Sequence, residues 1–91
     1  MNSKAEYEVK FAKQARNLLY EDSQGVLYFP FDVDSSQKPA LVILETMPLS
    51  EDFRLLPENL SQTEQSRIGL ALERVVEYLL SIGYQVEYLK D

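Results

Sequence analysis

The 91 residues carry a formal charge of −6 and contain neither cysteine nor histidine. Two independent cores would each be too small to offset chain entropy, so residues 1–91 read as a single α+β domain. Disulfides, thiolate zinc sites and histidine-based triads are excluded, and the negative field opposes binding to nucleic acid or anionic lipid.

The 45% hydrophobic content suits a folded chain rather than a disordered one. The longest uninterrupted apolar run covers residues 40–44, far short of the roughly 20 residues that a membrane-spanning helix needs. No apolar segment follows Lys4 to act as a secretory signal, so the expected location is cytoplasmic. The charge is also uneven. Residues 21–64 hold nine acids against Lys38 and Arg54, whereas residues 1–20 balance at +2.

Along the chain, Tyr7, Val9 and Phe11 alternate with Glu6, Glu8 and Lys10, the period of a half-buried strand. A short helix over residues 4–19 competes, because Phe11, Ala12, Ala15, Leu18 and Leu19 also fall at helical spacing. Residues 17–22, a turn at residues 22–25 and residues 26–33 then predict a β-hairpin. In its second arm Leu27, Phe29, Phe31 and Val33 share one face, and Val26, Tyr28, Pro30, Asp32 and Asp34 share the other. Pro30 cannot donate to a ladder, which predicts an edge strand or a bulge there.

Residues 40–47 read as a central strand buried on both faces. Residues 48–59 form an irregular loop pinned by Phe53, Leu55 and Leu56, with Phe53 as the anchor. The strongest pattern belongs to a helix over residues 61–82. Ser61 and Glu64 make a capping box, and Ile68, Ala71, Leu72, Val75, Val76, Leu79 and Leu80 recur at helical spacing. The same period places Arg67, Arg74, Glu77, Tyr78 and Ser81 outward. Gly83 suits a left-handed cap, after which Tyr84, Val86 and Tyr88 alternate as a closing strand. The expected architecture is a mainly antiparallel sheet of three to five strands, with one long amphipathic helix on one face and a strand after it.

Catalytic motifs are missing. Gly25, Gly69 and Gly83 stand too far apart to build a phosphate-cradling loop. Asp32, Asp34 and Ser36 begin like a calcium loop, but Gln37 and Ile43 occupy the positions that need glycine and a bidentate glutamate. The pairs Glu21–Asp22 and Glu51–Asp52 are adjacent in sequence and cannot flank a substrate cleft as a glycosidase pair must. No cofactor or metal is expected, and the chain reads as a non-enzyme.

Residues 18–89 resemble a family of small bacterial immunity proteins that accompany polymorphic toxins. The resemblance rests on Leu19-Tyr20-Glu21, the strand at residues 41–44, and Phe53 and Pro57. It continues through Leu60-Ser61, Glu64, Arg67, Ile68, Gly83 and Val86. The chain departs in having Phe53 where the family favours tryptophan, and Asp32 and Asp34 where a glutamate ends the second arm. The resemblance implies a protein without enzyme activity that binds and occludes a toxin. The partner-binding residues expected on charge and exposure are Glu21, Asp22, Asp32, Asp34, Glu51 and Asp52, with Arg74 and Tyr78 on the helix. A basic protein, such as a toxin, is the partner that this charge favours. The alternative is a self-associating module that uses an exposed strand edge near Pro30 or residues 84–88.

Overall fold

The computed structural model describes residues 6–13 and 16–89. Strand β1 is Tyr7–Phe11, β2 is Asn17–Asp22, β3 is Gly25–Asp34 and β4 is Leu41–Leu44. Helix α1 spans Gln62–Ser81, and β5, Gln85–Tyr88, closes the chain. The strands form one sheet in the order β1-β2-β3-β4-β5, antiparallel except for the β4–β5 pair. The α+β expectation holds, including the helix in the C-terminal half and the strand after it. The helical alternative for the N-terminal segment fails over residues 7–11 and 17–19, which are strand; residues 4, 5, 14 and 15 lie outside the described residues.

Alternation decides the layers. Because Val9 faces Tyr20 and Tyr20 faces Leu27 across the ladders, the odd-numbered apolar residues of β1 and β3 share a face with Leu18 and Tyr20. Val42 and Leu44 join them from β4. Against this face α1 lays Ala71, Val75 and Leu79, and all three are fully buried with Leu18, Tyr20, Phe29, Val42 and Leu44. The helix begins at Ser61, whose hydroxyl accepts from the Glu64 amide while the Glu64 carboxylate accepts from the Ser61 amide. It ends in a Schellman turn. The Gly83 amide donates to the Leu80 carbonyl and the Tyr84 amide to the Leu79 carbonyl, with Gly83 at φ 100° where a side chain would be strained.

Four expectations need correction. First, β3 is an interior strand, not an edge. Its first half pairs with β2 and its second half with β4, and Pro30 sits where the pairing changes hands, accepting from the Glu45 amide through its carbonyl. Second, β4 stops at Leu44, and residues 45–47 are exposed. Third, Leu55 does not pin the loop: it is 82% exposed, and main chain supplements Phe53 and Leu56, with Tyr28 and Leu49 exchanging two backbone hydrogen bonds at 3.0 and 2.7 Å. Leu56 does pack on the core. Fourth, the helix is rotated relative to expectation. Leu80 is 56% exposed, and Arg67, Arg74 and Tyr78 turn toward the β1–β2 side of the sheet.

Candidate functional site: the uncovered face of the sheet

Among the described residues α1 is the one helix and lies on one face; the other is covered only where the turn carrying Phe53 meets Tyr28. The ladder registers put Glu8, Lys10, Leu19, Glu21, Val26, Tyr28, Asp32, Asp34, Ile43 and Glu87 on that second face. Five of these are carboxylates and one is an ammonium group. Lys10 stands 3.8 Å from Glu8, and Asp32 accepts from Arg16 Nη1 at 2.6 Å, both pairs largely exposed. Exposed pairs of this kind contribute at most about 1 kcal/mol and are screened by salt, so a partner can exchange them.

The same face carries an aromatic stack. The Phe53 ring lies on Tyr28 with centroids 4.1 Å apart and an interplanar angle of 18°. Phe53 is placed there by a tight turn. The Ser50 amide donates to the Arg54 carbonyl, and the Phe53 amide to the Ser50 carbonyl, both at 2.8 Å. The turn forces Phe53 to φ 61°, a left-handed conformation that costs a side chain about 1–2 kcal/mol. The stack offsets that strain by about 0.5–1.5 kcal/mol beyond burial. Phe53 still leaves 42% of its surface to solvent. Beside the stack, a cleft of about 350 Å³ is lined by Lys10, Phe11, Lys13, Leu19, Tyr28 and Phe53. The pair is thus partly exposed, with the ammonium groups of Lys10 and Lys13 beside it.

The residues expected to meet a partner divide between two places. Glu21 and Asp32 stand exposed on the uncovered face, and Glu51 and Asp52 are exposed in the turn that carries Phe53. Asp34 lies on the same face but is occupied locally. It accepts from the Ser36 hydroxyl at 2.6 Å and the Ser36 amide at 3.0 Å, and the hydroxyl above all lowers its pKa.

Asp22 does not belong to that water-facing group, because its place in β2 turns it inward beneath the helix. Arg67 grips it with two hydrogen bonds, Nε to Oδ2 at 3.1 Å and Nη2 to Oδ1 at 2.8 Å, and the side chains are only 12% and 17% exposed. The Arg67 bonds hold the Asp22 carboxyl below its ordinary pKa despite the opposing effect of burial. The buried Tyr20 hydroxyl donates to Asp22 at 3.0 Å and accepts from Arg74 at 2.8 Å. Burial raises the Tyr20 pKa, and the hydrogen bond to Tyr20 raises that of Arg74. Arg74 also sits 4.1 Å over the Tyr7 ring, and Tyr78 packs near Phe11. Arg74 and Tyr78 are therefore part of the helix-to-sheet seam, on the opposite side of the sheet from Glu21 and Asp32.

Sequence reasoning did not single out Tyr28 or Lys10 as surface groups. Their signal was parity: Tyr28 is the one aromatic on the outward-facing register of β3. Among the described residues no group of three or more acidic side chains converges as a metal site. Melting temperatures are expected to be the same with EDTA, zinc, calcium or ATP; an upward shift with any of them in a thermal melt would reveal specific native-state binding. No protein-family model, no curated protein and no solved structure matches the chain, so its uncovered face must be interpreted from its own chemistry.

Proposed function

We propose that the chain is a non-enzymatic protein-binding domain whose uncovered sheet face receives a basic protein. The observation that carries this reading is the Tyr28–Phe53 stack on the sheet face that also carries the carboxylates of Glu8, Glu21, Asp32 and Glu87, with Lys10 and Lys13 lining the cleft beside it. The rings supply apolar area at low conformational cost, and the carboxylates steer a cationic partner and fix its orientation. Taken with the resemblance to immunity proteins, the most concrete form of the function is occlusion of a bacterial toxin by this face.

Growth rescue tests it. The reading frame next to this gene is expected to arrest a bacterial host when induced, and co-expression of the wild-type chain is expected to restore growth. The variant carrying Glu21→Lys and Asp32→Lys should fold normally, since the exposed Arg16–Asp32 pair it removes contributes at most about 1 kcal/mol, yet lose the rescue. A harmless neighbour would remove the toxin reading, and full rescue by the charge-reversed variant would remove the acidic face from it.

A further inference from the structure

The two edges of the sheet are built differently. At one edge β1 presents the charged pair Glu8 and Lys10, each more than half exposed. Charge on an edge strand discourages the addition of another chain. At the other edge β5 reads Gln85-Val86-Glu87-Tyr88, with no proline and no lysine. Its inner side is satisfied: the Gln85 amide donates to the Ala40 carbonyl at 3.0 Å and the Leu89 amide to the Leu44 carbonyl at 2.9 Å. Because successive backbone groups of a strand point to opposite sides, the amides of Val86 and Tyr88 point away from β4. Apolar surface flanks the same edge. Arg74 and Tyr78 face β1, so the opposite flank of α1, which carries Val76 and Leu80, faces the β4–β5 side; Leu80, Tyr88 and Leu89 are each about half exposed.

We infer that β5 is a homodimerisation edge, pairing antiparallel with β5 of a second copy about a two-fold axis at Val86. The sequence of the strand is self-complementary in that register. Val86 stands opposite Val86 on the helix side, where the two residues exchange both backbone hydrogen bonds. On the uncovered side Gln85 stands opposite Glu87 twice, so that neither carboxylate meets its like, and the Gln85 amide, which donates one hydrogen to the Pro39 carbonyl at 2.8 Å, keeps its second for the carboxylate. The Tyr84 amide already donates to Leu79 at 3.0 Å, so each flanking Tyr84–Tyr88 pair contributes one hydrogen bond, from the Tyr88 amide to the Tyr84 carbonyl, whereas a pair centred on Tyr84 would lose both of its central bonds. A two-fold axis through one short strand yields a closed pair rather than a fibre. It also brings the Leu80 flanks of the two helices together on one side and sets the two uncovered faces side by side on the other. This inference shares only Glu87 with the proposed toxin-binding face; β5 carries it and the Tyr28–Phe53 stack does not.

Sedimentation velocity and amide hydrogen exchange on the full chain test it together. The wild type is expected to sediment as a dimer that dissociates on dilution, with the Val86 and Tyr88 amides losing protection as it does so. Tyr88→Lys, a change at an exposed position, is expected to weaken dimerisation at least about tenfold while leaving the circular dichroism spectrum intact. A wild type that stays monomeric up to millimolar concentration would overturn the inference. So would a dimer in which those two amides exchange freely or which Tyr88→Lys leaves unchanged.

Discussion

Leu79→Ala is expected to destabilise the protein by about 2–5 kcal/mol, the range for truncating a fully buried leucine. Leu79 has no solvent exposure, and it occupies the last turn of α1 that still lies over the sheet, just before the Schellman turn uses its carbonyl. Truncation therefore opens a cavity in the buried cluster between the helix and the sheet. Leu70→Ala, on the exposed flank of the same helix, is expected to change stability by no more than about 0.5 kcal/mol. Leu72 is half-buried and should fall between the two. Urea unfolding at a fixed protein concentration measures all three. Equal losses for Leu79 and Leu70 would show that the helix is rotated from the orientation described.

The second large effect is expected at the ion pair beneath the helix. Asp22→Ala leaves the Arg67 guanidinium with the Gly25 carbonyl as its one remaining acceptor among the described residues, and leaves the Tyr20 hydroxyl with Arg74 alone of the two partners described. Removing one member of a buried pair costs about 3–5 kcal/mol, and the slight exposure of this one places it toward the lower end. Replacing both charges, Asp22→Leu with Arg67→Met, is expected to recover most of that loss, because no uncompensated charge remains. The pair also sets a pH signature. Since pairing lowers the folded-state pKa of Asp22 below its ordinary 3.8, its contribution is present above about pH 4 and is lost as the pH falls through the folded value. Stability of the wild type should therefore decline more steeply below about pH 4 than that of the doubly apolar variant. Parallel acid-limb profiles for the two proteins would show that the pair is not what titrates.

Much of this fold could be read from local pattern. The hairpin turn, the period-two alternation of β2 and β3, the capping box at Ser61 and the glycine after the helix are each decided within a few residues of chain. What local pattern could not supply was the pairing distance. Pro30 suggests an edge because a proline breaks a ladder, yet in a ten-residue strand it can occupy the point where one neighbour ends and the next begins. The position of Arg74 and Tyr78 depended in the same way on something non-local. On a helical wheel they lie beside the apolar stripe, and whether that flank meets solvent or protein depends on how far the sheet extends beneath the helix. Here β1 extends far enough to receive both. Asp22 was the most legible of the misplaced residues, since it shares parity with Leu18 and Tyr20, and its charge drew attention away from that alternation. The aromatic stack on the uncovered face required a loop residue in a left-handed conformation, which no periodicity encodes.

The parallel pairing of β4 with β5 has a kinetic consequence. Strands β1 to β4 follow one another as a meander, so their contacts close short loops and can form early. The β4–β5 ladder, by contrast, joins residues 41–44 to 85–88 across the intervening loop and helix, and its loop-closure entropy is met only when α1 docks. During synthesis Val42 and Leu44 must therefore remain unsealed until residues 85–88 have emerged. Contacts made by β5 accordingly belong to the late side of the folding barrier, where they govern how slowly the native protein opens rather than how quickly it forms.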